Sequence, residues 1–304
     1  MYFLRRLILL GPLLVIISFL SFMLVRVAPG GPFDRERKPA SPEIERQIQA
    51  KYHLDEPAWK QYRRFVVDLA HGDFGISLQY RNHTVNDIIV QALPVSASLG
   101  LLAFGFTLGV GVPMGLFSAA RRGRWEDYSG SFVAVLMVCV PGFVVAPLLV
   151  MLFGIKWRLF PVALWASPMH AVLPVIALGL YFSGRVARLM REGMLNVLSS
   201  EFITTARAKG LSETALLLKH ALPLAILPVV SYSGPLLADL LTGSFVIETI
   251  FQIPGLGAFF VNGSLNRDYT LVVGLVMLYA SLLVALNLAV DLIYVLLDPR
   301  VRYE

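Results

Sequence analysis

The chain has 304 residues, of which 57% are hydrophobic and only 15% charged, and it carries a formal net charge of +6. A soluble domain carries about 25% charged residues, so this composition excludes an ordinary water-soluble globule. The basic residues are dispersed between apolar runs, which argues against a nucleic-acid-binding surface, and the single Cys139 excludes an intrachain disulfide or a cysteine-rich metal site.

Charge-free runs cover residues 7–25, 88–120, 128–155, 159–184 and 269–290, and a sixth run over 221–247 is interrupted only by Asp239. Each exceeds the ~18 apolar residues that mark a membrane-spanning helix. The sequence therefore predicts an all-α membrane protein with six transmembrane helices. The first run follows Arg5 and Arg6, as a signal peptide would. It is too long for a signal core, however, and ends in Arg26-Val27-Ala28-Pro29-Gly30 without an A-x-A site. It reads as a retained N-terminal transmembrane helix over 1–27.

Residues 28–93 form a long polar segment. Ser41-Pro42-Glu43 opens one amphipathic helix, with Ile44, Ile48 and Tyr52 at helical spacing. Trp59, Tyr62, Phe65, Val66 and Leu69 continue a second helix, and His71-Gly72-Asp73-Phe74-Gly75 follows as a turn. These helices lie on one face of the bundle, form a lip that guides a substrate or docks an outside partner, or do both. Orientation comes from the short loops. Arg5, Arg6, Arg121, Arg122, Arg124, Arg185, Arg188, Arg191, Arg207, Lys209, Lys219, Arg300 and Arg302 fall on the side of the termini, against Lys156, Arg158 and Arg267 opposite. The positive-inside rule then places both termini in the cytoplasm and 28–93 outside.

The remaining core, 94–304, holds five spans and a cytoplasmic loop over 191–220. Ser199-Ser200-Glu201 starts a helix through Phe202, Ile203, Thr204, Thr205, Ala206, Arg207, Ala208 and Lys209, which stops at Gly210, a residue suited to the left-handed cap. Leu211-Ser212-Glu213 starts a second helix running toward Pro223. Pro141 and Pro147 in the third span, Pro174 in the fourth, and Pro223, Pro228 and Pro235 in the fifth interrupt helical bonding. They fit the bundle or mark helices that bend. Ser231, Tyr232, Ser233 and Asp239 give the fifth span its most polar character, and an ionisable group there faces a cavity or a partner. The chain contains no G-x-x-x-x-G-K-[ST], H-E-x-x-H or G-x-S-x-G, so it is read as non-catalytic.

Thr204-Thr205-Ala206, three residues, Gly210, nine residues, then His220-Ala221-Leu222-Pro223 resembles the cytoplasmic loop of ABC importer permeases, E-A-A, three residues, G, nine residues, I-x-L-P. Thr204, Thr205 and His220 depart from that pattern. Leu24-Val25-Arg26-Val27-Ala28-Pro29-Gly30, His71-Gly72-Asp73-Phe74-Gly75, Thr242-Gly243-Ser244, Glu248-Thr249-Ile250-Phe251, Pro254-Gly255-Leu256-Gly257 and Leu297-Asp298-Pro299-Arg300 are similar, in that order, to B-type permease subunits of oligopeptide and dipeptide importers. The resemblance implies a type I ABC importer permease with a periplasmic helical insertion, in the bacterial inner membrane. It further implies a second, paralogous permease subunit, two cytoplasmic ATPase subunits that bind the ATP and Mg, and an external peptide-binding protein. No cofactor and no nucleic acid belongs to this chain. The resemblance assigns ATPase coupling to Glu201, Thr204, Thr205, Ala206, Arg207, Ala208, Lys209 and Gly210. Ser231, Tyr232, Ser233 and Asp239 are candidates for the substrate pathway, with Asp239 a counter-charge to a peptide amino terminus or a bond to the second permease subunit. A nickel or other small-solute importer of the same family and a proton-coupled carrier are the alternatives.

Overall fold

The structure, a computed structural model, describes residues 2–27, 55–80 and 83–297, with side chains over 11–24, 55–80 and 83–293. The expected helix at 41–52 and the tail from Asp298 lie outside the described residues. The described residues are mostly helical, with a single isolated β-bridge between Ile76 and Thr84. Contacts divide the chain into two compact units, Met1–Pro94 with Leu256–Leu282, and Val95–Gly255 with Leu283–Glu304.

In the first unit, α1 (Tyr2–Val27) receives the amphipathic α2 (Ala58–Ala70). Tyr62 joins them: its hydroxyl donates to the Val15 carbonyl at 3.2 Å, lies 3.0 Å from the Ser18 hydroxyl, and its ring meets Phe19 and Phe22 edge-on. After Gly72 and Gly75, both at positive φ, the chain enters α3 (Val85–Ala120) through a reciprocal cap. Thr84 Oγ1 accepts from the Asp87 amide at 3.1 Å, and the Asp87 carboxylate accepts from the Thr84 amide at 2.9 Å. Val85, Ile88, Ile89 and Ala92 at the start of α3 form an apolar core with Leu256, Leu271 and Leu275. Asp268, fully buried, accepts from the Ser77 hydroxyl, from the amides of Leu78 and Gln79 at 3.1 Å, and from the Leu271 amide at 3.2 Å. One carboxylate thus caps the helix that begins at Tyr269 and fixes the strand-like segment before α3.

The second unit is organised by α6 (Pro168–Leu198), reached through α4 (Trp125–Cys139) and α5 (Gly142–Leu149). Its buried face is rich in small residues, including Ala171, Ala177, Gly179, Ser183, Gly184, Ala187 and Gly193. A Cβ at Gly184 would collide with the Ala134 carbonyl oxygen of α4, and one at Gly193 with the Ala225 carbonyl oxygen. Lipid offers no hydrophobic drive for helices to associate, so close backbone approach supplies the dispersion contacts instead. The polar anchor of this unit is Asp127, whose carboxylate receives Arg191 in a fork at 2.6 and 2.9 Å, the Ser118 hydroxyl at 2.7 Å and the Gly123 amide at 3.1 Å.

Three apolar runs fold differently from expectation. The third is two helices bent by 98°. Val140 precedes a proline and so takes the extended conformation (φ −90°, ψ 114°), and Pro141 then caps α5. A π-helical turn, Val150–Lys156, continues α5. The fourth run begins with non-helical residues 159–167; its helix starts only at Pro168 and continues past Gly184 to Leu198. Arg185, Arg188 and Arg191 therefore ride on a helix, not in a loop. The fifth run is segmented: α7 (Glu201–Ala208) and α8 (Glu213–Ala215) lead through a π turn, Leu216–Ala221, into α9 (Leu222–Ala225), α10 (Leu227–Leu241) and, after Thr242–Ser244, α11 (Phe245–Ile250). α12 (Leu256–Leu265) and α13 (Tyr269–Leu297) complete the chain. Among the described residues four helices are long and apolar enough to cross a membrane, or five if the bent pair counts as one span, with Gly11–Leu24 of α1 a further, shorter apolar helix.

Replacing Asp127 with Ala strands the Arg191 guanidinium, whose side chain is 32% exposed. Partial solvation discounts the usual cost of breaking a buried pair, leaving an expected loss of about 2 kcal/mol. The apparent melting temperature of Asp127→Ala in detergent should fall, and the Asp127→Ala/Arg191→Met double variant should lose less than the sum of the two single changes.

Candidate functional site

α7 and α8 form a corner whose exposed face is built from the residues singled out in the sequence. Only Ile203 of α7 is buried, and it anchors the helix in the core. Glu201, Thr204, Thr205, Arg207, Ala208, Lys209 and Gly210 are exposed, and Ala206 is half-buried. Ser200 occupies the N-cap, but its hydroxyl donates back to the Val197 carbonyl at 2.6 Å instead of capping α7. The C-terminus is closed by two bonds. The Gly210 amide donates to the Arg207 carbonyl at 3.0 Å, and the Leu211 amide to the Ala206 carbonyl at 3.4 Å, with Gly210 at φ +80°. This is a Schellman closure, and it requires the left-handed residue. No atom lies near the position of a Gly210 Cβ, so the glycine is demanded by backbone conformation, not by space.

A fork from Arg207 to Glu213, at 2.7 and 3.3 Å, ties α7 to α8 across that turn. The guanidinium hydrogen bond holds the Glu213 carboxyl below its ordinary value of 4.5, and the same bond raises Arg207. A depressed folded-state value means that the contribution is full above the ordinary glutamate range and is lost only as pH falls through the lowered one. The corner keeps this bond at every physiological pH.

The second group lies on α10. At about 100° per residue, Ser231, Tyr232 and Asp239 share one side of the helix, whereas Ser233 points away. Accordingly Ser231 and Asp239 are exposed, Tyr232 is half-buried, and the Ser233 hydroxyl donates to its own helix at Val229, 2.8 Å away. Of the four candidates, three lie on one side of α10, with Asp239 two turns beyond Ser231 and Tyr232. The sequence reading passed over a fourth neighbour: the Arg185 guanidinium of α6 stacks 4.8 Å above the Tyr232 ring. Its signal was an arginine next to an apolar run, which was read as loop charge.

A third cluster gathers sequence motifs that had no assigned role. Glu248 of α11 is fully buried, and the Ser96 hydroxyl donates to its Oε1 at 2.7 Å. A Cβ on Gly243 or on Gly255 would collide with that carboxylate. The glycines of Thr242-Gly243-Ser244 and Pro254-Gly255 thus leave room for a buried acid between them. Among the described residues no group of three or more His, Cys, Asp or Glu side chains could hold a metal ion.

Residues 111–303 match the family model described as binding-protein-dependent transport system inner membrane component. The chain is 44% identical over 301 residues to the oligopeptide transport system permease protein OppB of Haemophilus influenzae, covering 98% of each chain. It is 44% identical to OppB of Escherichia coli K12, covering 99% of each. Identity to the dipeptide transport system permease protein DppB of Bacillus subtilis is 40%, covering 99% of this chain and 97% of that one. Among solved structures, an inward-facing MetNI methionine ABC transporter aligns with a TM-score of 0.57 at 17% identity, covering 69% of this chain and 96% of that one. That likeness is one of fold.

Gly255→Ala drives a methyl group into the Glu248 carboxylate and displaces the Ser96 bond. Overpacking a filled interior costs about 1–3 kcal/mol, so the variant should show a lower apparent melting temperature. Ser96→Ala, which removes the donor without adding bulk, should show a smaller fall.

Proposed function

We propose, because this chain belongs to the family of binding-protein-dependent transport system inner membrane components, that it is the transmembrane permease subunit of an ATP-driven peptide importer. It forms half of the translocation pathway and crosses the inner membrane six times. Both termini lie in the cytoplasm, an outer helical segment occupies 28–93, and a five-helix core with the cytoplasmic loop 191–220 occupies 94–304. The observation that carries this reading is the 44% identity to oligopeptide permeases over nearly the whole chain, a match that a shared fold alone does not produce.

The partners follow from that kinship: a second, paralogous permease subunit, two ATPase subunits carrying ATP and Mg, and an outer peptide-binding protein. In this reading α7 sits in a groove of an ATPase. Thr204, Thr205, Ala206 and Ala208 are small enough to permit close approach, while Arg207 and Lys209 bond carbonyls or carboxylates and Glu201 lies at the helix start. The Schellman turn and the Arg207–Glu213 fork make the corner stiff, so a push on α7 passes into α6 and α10 and is not absorbed by a flexible loop. Coupling by rigid-body movement needs that stiffness.

ATP-dependent uptake by the reconstituted complex, measured with peptides of several lengths and with nickel, tests the assignment. Peptide uptake that requires both ATP and the binding protein is the expected result. Uptake of nickel alone would replace the substrate assignment, and transport by this chain purified without any ATPase would favour a proton-coupled carrier.

Gly210→Val places a β-branched residue at φ +80°, where it is strongly disfavoured. The variant should insert and assemble, yet its peptide-stimulated ATP turnover should drop by at least about tenfold, a barrier change of ~1.4 kcal/mol. Turnover equal to that of the unmodified complex would remove Gly210 from the coupling surface.

A further inference from the structure

Arg185 lies thirteen residues before the end of α6, about 20 Å inside the helix at 1.5 Å per residue. It is exposed on the chain's surface, within a segment apolar enough to cross a membrane. An ionisable side chain within such a segment is costly when it meets lipid and faces a water-filled cavity or a partner. The Arg185 guanidinium carbon lies 4.8 Å over the Tyr232 ring, and a guanidinium carries a planar fork of N–H donors suited to a carboxylate. Asp239 lies seven residues beyond Tyr232 on the same side of α10, about 10.5 Å along the axis. Tyr232 is within electrostatic reach of both charges.

An extended peptide advances about 3.3–3.6 Å per residue, so three residues cover the axial rise from Tyr232 to Asp239. The other charged groups along this side of α6 are Arg188 and Glu192, both exposed, while Arg191 is held by Asp127. Arg188 adds positive charge at the arginine end, and Glu192 lies a further turn away.

We propose that Arg185 and Asp239 are the two ends of one subsite for zwitterionic peptides, the guanidinium taking the peptide carboxylate and the Asp239 carboxylate taking its ammonium group, with Tyr232 as the platform between them. This rests on the peptide-importer reading and adds to it a cation that selects for a free carboxyl end. A permease surface so built discriminates by terminal charge and is indifferent to side chains, which suits a carrier of peptides of mixed sequence.

The test uses the complete complex in liposomes with its binding protein. Initial uptake of trialanine, its carboxyl-amidated form and its N-acetylated form is compared among the unmodified complex, Arg185→Gln, Arg185→Lys and Asp239→Asn. The binding protein is the same throughout, so its own preferences cancel in each variant-to-parent ratio. Arg185→Gln should slow trialanine and the acetylated peptide about tenfold and leave the amidated peptide unchanged. Asp239→Asn should slow trialanine and the amidated peptide and spare the acetylated one. Arg185→Lys, which keeps the charge but loses the planar fork, should fall between. Equal slowing of all three peptides, no slowing, or loss of the second permease subunit from the purified complex would overturn the subsite. If the unmodified complex moves no peptide at all, the importer reading fails first. If it does and the ratios are flat, only the subsite fails.

Discussion

The backbone of α6 touches the backbones of its neighbours, and the second unit depends on that contact. In water, side-chain burial would drive such helices together; in lipid an apolar side chain is already in an apolar solvent. What remains is dispersion at short range and the satisfaction of polar groups. Gly184 and Gly193 remove the side chains that would hold helices apart, and Asp127 gathers the Arg191 fork, a hydroxyl and an amide into one charge-neutral knot. Both devices work on α6, the helix that also carries Arg185.

The same helix runs within two residues of α7. From Met190 and Met194, fully buried, the chain passes Ser199 and Ser200 into α7, whose Ile203 is locked in the same core. The corner then turns through Gly210 with its carbonyls satisfied and its two arms bridged by Arg207 and Glu213. There is no slack segment between the helix that packs the bundle and the helix that faces outward from it. Stiffness here is a product of local hydrogen bonding, and it persists whatever the bundle around it does.

Much of this was legible in the residues. The charge-free runs overlap the four long apolar helices and the bent pair, Trp59 and Tyr62 marked the amphipathic α2, and the spacing from Thr204 to Gly210 to Pro223 matches the corner. The helix breaks were less legible, because hydropathy has no memory of φ and ψ. Residues 128–155 are uniformly apolar, yet Val140 must leave the helical region ahead of Pro141. Arg185 was read as loop charge for the opposite reason: a charge ended the apolar run, while the helix continued to Leu198. Glu248 was visible as a motif but silent about its role, since the collision that explains Gly243 and Gly255 exists only once the three are folded together.

The π turn at Leu216–Ala221 acts as a phase adjuster. Bonding to the fifth residue instead of the fourth accommodates one surplus residue within a continuous helical path, and one residue is worth about 100° of rotation. Deleting a residue there would leave the path nearly as long, but it would swing the α7–α8 corner about a quarter-turn around the axis that leads to α9. The direction in which the corner faces is therefore set by the winding of six residues, none of which belongs to the surface being aimed.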